Sequence, residues 1–190
     1  MILASCLLGV LLGLLGGGNF RSIWHKRFRV WPLLFLSLFC EWLLSSQRID
    51  GFLTRFEYHM LLRSVLAALQ YGLVIFFLAR NAKKPGLLVA LAGTVLNSLV
   101  IVANGGRMPV GPSISRFGPD ALDKLGQAPH YFAAGGQEPL FFLSDLIPFA
   151  GYMISVGDIL IAIGLFGLGI YLPYRVVRAA NAASKIEKSS

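Results

Sequence analysis

Asn104-Gly105-Gly106-Arg107-Met108-Pro109-Val110 marks the point where the chain changes character. Residues 86–103 before it carry no charge. Residues 105–151 after it hold eight glycines and six prolines. An apolar run of helix length ends here, and a connection far longer than the usual few residues begins. The stretch puts one arginine and several flexible backbone N–H groups at one face of what reads as a membrane bundle. The rest of the chain can be placed relative to that face.

Composition supports that reading. Of 190 residues, 56% are hydrophobic and 14% charged, and mean hydropathy is +0.69. A soluble domain carries about 25% charged residues, so this chain has too few to cover a soluble core. The net charge of +8 does not make a nucleic-acid site. The basic residues sit in short clusters between apolar runs, as in the inner loops of membrane proteins, and no contiguous basic face is present. Cys6 and Cys40 lie inside apolar segments and imply neither a disulfide framework nor a metal site.

Five apolar segments are predicted to span: 1–18, 30–46, 58–79, 86–103 and 152–172. The first lacks the basic start and small-residue cleavage site of a secretory signal, so it is expected to be retained. Gly9, Gly13 and Gly17 lie four apart along it and form a stripe where another helix can dock closely, from this chain or from another subunit. Within the long connection, 118–126 suits a short helix. Residues 139–151 are apolar but too short to span, and suit a re-entrant or interfacial segment. The fold expected is therefore all-α: a transmembrane bundle over 1–173 that includes the loop 104–151, followed by a basic cytoplasmic tail, 174–190.

Orientation follows from lysine and arginine. The 21–29 loop, the 80–84 turn and the tail hold eleven. The opposite side holds six: Arg48, Arg55, Arg63, Arg107, Arg116 and Lys124. This puts the N-terminus outside, the C-terminus in the cytoplasm, and the long loop outside.

Ionisable groups within spans are costly and tend to pair or mark function. Counting from the span ends at about 1.5 Å per residue, Glu41, Arg63, Asn97 and Asp158 all fall roughly 7–11 Å below the outer boundary. A polar cluster of these four is expected, open toward the loop, with Arg107, His59, Asp145 and His130 as covering groups. Arg63 is predicted to pair with Glu41 or Asp158. Asn104 shares a face with Asn97, seven residues away. The consecutive glycines allow a backbone nest for an anion, to which Arg107 would add a bidentate donor. A small anionic ligand is therefore one expectation. A purely structural ion-pair lock and a proton relay are the others.

Two stretches carry a resemblance. Asn104–Val110, and Ser144-Asp145-Leu146-Ile147-Pro148 with Ser155-Val156-Gly157-Asp158-Ile159-Leu160, resemble an uncharacterised family of small bacterial multi-span membrane proteins, a domain of unknown function. The resemblance implies residence in the bacterial inner membrane, among membrane lipids, and carries no activity or cofactor.

Standard catalytic motifs are absent from the sequence. The leading expectation is a non-enzymatic membrane protein that binds a small ligand at the outward cluster, or a membrane-protein partner as an accessory subunit. The size and basic character also resemble the substrate-binding membrane subunits of vitamin-uptake systems, although those have six spans. A third expectation is a membrane enzyme acting on a lipid or isoprenoid phosphate. In it Arg63 and Arg107 would hold phosphate, and Asp145 or Asp158 would serve as acid, base or metal ligand.

Overall fold

The computed structural model describes residues 1–174. The expected tail lies outside the described residues apart from Tyr174. The chain is mostly helical. Its helices are α1 (Ile2–Leu15), α2 (Phe20–Trp24), α3 (Pro32–Ser45), α4 (Gln47–Leu53), α5 (His59–Asn81), α6 (Leu87–Ala103), α7 (Ala121–Gly126) and α8 (Val156–Tyr171). Pro32 opens α3, where its missing N–H costs nothing. The α6 helix ends as a Schellman turn. Gly105 and Gly106 have φ of +69° and +76°, and the Gly106 N–H donates to Ile101 O at 2.9 Å. The glycine pair is thus used to stop a helix, and the Gly106 N–H, one of those expected in an anion nest, is spent on Ile101 O.

Among the described residues, only α5, at 23 residues, is both long and apolar enough to cross a membrane by length and composition; α1, α3, α6 and α8 are shorter apolar helices. The five pack side by side in the order α1, α8, α6, α5, α3. Glycine sets the closest contacts. A Cβ on Gly9 would strike the backbone of Phe166 and Gly169, and one on Gly13 the backbone of Ile170. The stripe predicted as a docking face is therefore occupied by this chain's own α8, not by another subunit. Gly17 does not belong to it: it lies past the end of α1, has φ +92°, and nothing lies within 4 Å of its would-be side chain.

The long connection folds into a cap over one end of the helices. Here the all-α expectation is corrected, because two small sheets form. β1 (Met108–Val110) pairs in parallel with β2 (Tyr131–Ala133). β3 (Ile147–Phe149) pairs with β4 (Tyr152–Ile154) as an antiparallel hairpin. At its tip Ala150 and Gly151 have φ of +47° and +85°, the pair of positive values that a tight hairpin turn needs. Residues 139–151 thus form a 3-10 turn (Phe141–Leu143) and a strand. The fifth apolar helix starts at Val156, four residues later than expected, because 152–154 join the hairpin.

Two apolar clusters result. Phe77, Leu78, Leu87, Ala90 and Leu168 form one at the basic end of the helices. Val110, Ile114 and Leu125 form the other inside the cap. Along α6, Asn97 and Ile101 lie between them. Much apolar surface faces outward, including Leu3, Leu7, Leu11 and Leu15 on α1 and Phe35, Leu38, Phe39 and Trp42 on α3.

Candidate functional site

The start of α8 supplies the first wall of the site. Ser155 and Asp158 form a capping box. The Asp158 N–H donates to Ser155 Oγ at 3.0 Å, and the Ser155 N–H donates to Asp158 Oδ2 at 3.2 Å. Asn97 of α6 closes the ring, donating through Nδ2 to Asp158 Oδ1 at 2.8 Å and accepting from Ser155 Oγ at 2.9 Å. Asp158 therefore sits in the first helical turn, facing the positive end of the helix dipole. It is not six residues deep in a span as the depth count assumed.

Glu41 of α3 forms the second wall. Gln70 of α5 donates to its Oε2, and His130 of the cap approaches its Oε1 at 3.4 Å. Ser45 Oγ lies 2.5 Å from the same His130 Nε2. Serine, histidine and glutamate meet here, but on one ring nitrogen. A nucleophile triad needs the acid and the serine on opposite nitrogens, so the group reads as a strap between cap and helices.

The predicted ion pair of Arg63 with Glu41 or Asp158 is corrected. Arg63 is 3% exposed, pairs with Asp50 of α4 and donates to Pro129 O of the cap. Asp50 belongs to the mixed-charge stretch 47–57, with Arg48, Arg55 and Glu57; its first part folds back as α4 and delivers the acid to α5. Arg107 donates through Nε to Pro129 O at 3.1 Å and through Nη2 to Tyr131 O at 2.5 Å. Asn104 donates to Val100 O and Pro139 O. Arg63, Arg107 and Asn104 thus hold the cap down, and none of them lines the central cavity.

That cavity, of about 100 Å³, is lined by Glu41, Asp145 and Asp158, together with Gln70, Tyr71, Asn97, His130 and Tyr131. Asp145 arrives because the loop is stitched to β1: its N–H donates to Pro109 O at 3.1 Å, and its carbonyl accepts from the Gly111 N–H at 2.9 Å. Asp145 is 5% exposed, and its Oδ1 has no hydrogen-bond partner among the described residues. Burial, and then the negative charge of Asp158, pushes the Asp145 carboxyl up to about 8. Burial also lowers His130, which Glu41 opposes and Arg63 and Arg107 reinforce. A second, wider cleft of about 530 Å³ opens through the cap, with Val110, Ile114, Leu125 and Met153 among its walls. It shares Tyr131 and Asp145 with the inner cavity. Among the described residues, no three histidine, cysteine or acidic side chains gather closely enough to hold a metal ion.

Of the residues singled out from sequence, Glu41, Asn97, Asp145 and Asp158 converge on the cavity, as does His130. His59 bonds locally to Phe56 O. Tyr71 and Tyr131 were missed. For Tyr71 a signal existed: it follows Gln70 and lies eight residues after Arg63, on the same helical face. For Tyr131 none did, since its place depends on the parallel pairing of β2 with β1.

Apolar helices, a folded cap and a buried acidic cavity between them define the class. The chain belongs to a family of unknown function, DUF5317, which matches residues 25–170. The matched region takes in every cavity residue and leaves α1 outside. An uncharacterized protein of Thermotoga maritima is 34% identical over 110 residues, covering 55% of this chain and 62% of that protein. The chain thus spans less than two thirds of that relative's length. No solved structure matches.

Proposed function

We propose that this is a multi-pass protein of the bacterial inner membrane that binds a small organic cation in the capped cavity, with the cap on the outer side. Its five apolar helices would all lie in the bilayer, the shorter ones with their ends at the interfaces. The apolar residues facing outward on α1 and α3 support embedding, and the excess of basic residues at the end away from the cap supports the orientation.

The observation that carries the ligand is the buried, unpartnered Asp145 oxygen in a cavity with two further carboxylates. The arginines expected to hold an anion are spent on Asp50 and on cap carbonyls, so the lining favours a cation. An amine would give Asp145 a charged partner, which is the cheapest way to keep a buried carboxylate ionised. Asp145 is largely protonated at pH 7 when the cavity is empty. Binding of a cation therefore expels a proton, and affinity rises with pH.

Calorimetry on the full chain in nanodiscs tests this with methylammonium as the probe and acetate as the control. Methylammonium should bind with release of close to one proton, and Asp145→Asn should abolish both. Binding of acetate instead, or of neither, refutes the reading. The cleft that shares Tyr131 and Asp145 with the cavity supplies an entry and favours a second reading, the ligand-capturing membrane component of an uptake system. Deletion of the gene should then slow uptake of the amine that the protein binds.

A further inference from the structure

The end of the helices opposite the cap carries a different site. Arg29, Ala79, Arg80, Asn81, Lys83 and Lys84 line a cleft of about 400 Å³. Four of these six residues are cations and none is an acid. Among the described residues no carboxylate pairs with any of the four.

The cleft is built from two separate segments, and one buried residue joins them. Arg29 lies in the connection before α3, and the others lie at the end of α5 and in the turn to α6. Asn81 is 3% exposed. Its Oδ1 accepts from the Arg29 N–H at 2.9 Å, and its Nδ2 donates to Arg29 O and to Phe77 O, both at 2.9 Å. A side-chain amide that engages both backbone groups of Arg29 fixes where that side chain starts. Lys84 Nζ is drawn to Asn81 Oδ1 at 3.3 Å and lies 4.9 Å from the centre of the Phe28 ring. Phe28 in turn stacks on Phe77 at 6.1 Å. The backbone is thus held in a geometry that gathers like charges, and a bound anion would relieve their repulsion. Exposed Trp31, Phe76 and Leu88 flank these cations along the chain and suit the acyl region beside a headgroup.

We propose that this cleft binds a phosphate group, carried by an anionic phospholipid or free in solution. It is separate from the acidic cavity, and only its lipid source rests on the membrane reading. The test places the full chain in phosphatidylcholine nanodiscs doped with phosphatidylglycerol and counts retained lipid by native mass spectrometry. Inorganic phosphate is titrated separately and followed by a thermal shift. Arg29→Gln and Lys84→Gln leave the backbone clamp of Asn81 in place, and each should weaken retention about fivefold. Arg116→Gln and Lys124→Gln, in the cap, should not. Selective retention of phosphatidylglycerol supports a lipid source, and a phosphate shift that the same two variants lose supports a free anion. If phosphatidylglycerol is retained no better than phosphatidylcholine and phosphate gives no shift, the site does not exist. Equal loss in the cap variants likewise overturns it. Failure of the chain to enter nanodiscs would count against the membrane reading, whereas the phosphate titration in detergent would still judge the cleft.

Discussion

Arg63 and Asp145 show opposite solutions to the same cost, a charge taken out of water. Arg63 has its acid and its carbonyl; Asp145 has only neighbours of its own sign. Arg63→Leu should lower stability much more than Arg48→Leu, because it leaves Asp50 without its cation and removes one of the two arginine donors to Pro129 O. Breaking a fully buried pair costs about 3–5 kcal/mol. Asp50 is 32% exposed, which puts the expected loss toward the lower end, and denaturant unfolding in detergent measures it. Asp145 sets a pH dependence. Its folded pKa of about 8 lies above its ordinary 3.8, so its contribution is fully present below pH 3.8 and is lost as pH rises toward 8. His130, lowered by burial from its ordinary 6.5, acts in the opposite sense, losing stability as pH falls through that value. Glu41, Asp158, Tyr71 and Tyr131 face the same cavity. The melting temperature should therefore fall between pH 6.5 and 8.5, and Asp145→Asn should flatten that slope.

At the scale of elements, the helices are joined by glycines and by one capping box. A Cβ on Gly164 would meet the backbone of Ala90 and Gly86 across the α6–α8 contact. Gly164→Ala should cost about 1–3 kcal/mol through overpacking. Gly72, inside α5, has nothing within 4 Å. Gly72→Ala should be stabilising by about 0.5–1 kcal/mol, since it only reduces the freedom of the unfolded chain. A similar response in the two variants would show that the α6–α8 contact is looser than described. Ser155→Ala removes the cap of α8 and a partner of Asn97 together. Its expected cost of about 1–2 kcal/mol should appear in thermal melts, with faster amide exchange in the first turn of α8.

At the scale of the whole molecule, the cap and the basic end make the chain two-faced. In a background of Cys6→Ala and Cys40→Ala, Asp123→Cys in the cap should react with a membrane-impermeant maleimide on intact spheroplasts. Lys83→Cys, in the turn between α5 and α6, should react only after permeabilisation. Labelling of Lys83→Cys from outside would reverse the orientation, and equal labelling of both in intact cells would remove the membrane between them.

The pattern of apolar runs and basic turns determined where the five longer helices lie, because hydropathy and charge are summed over contiguous residues and need no partner. Glycine and proline likewise placed the ends of α6 and α7. Pairing between distant residues was not legible. Depth along a span brought Glu41 and Asn97 to one level but set Asp158 too deep, since α8 starts only at Val156. It could not reveal that Asp50, in the mixed-charge stretch between α3 and α5, folds back onto Arg63. Nor could it reveal that β1 and β2, more than twenty residues apart, pair in parallel and carry Tyr131 and Asp145 over the cavity. Those contacts come from cap segments too short to have a period of their own. Only the tertiary structure decides which carbonyls and which acid satisfy each buried arginine, and here it gives the arginines to the cap and leaves the acids to the cavity.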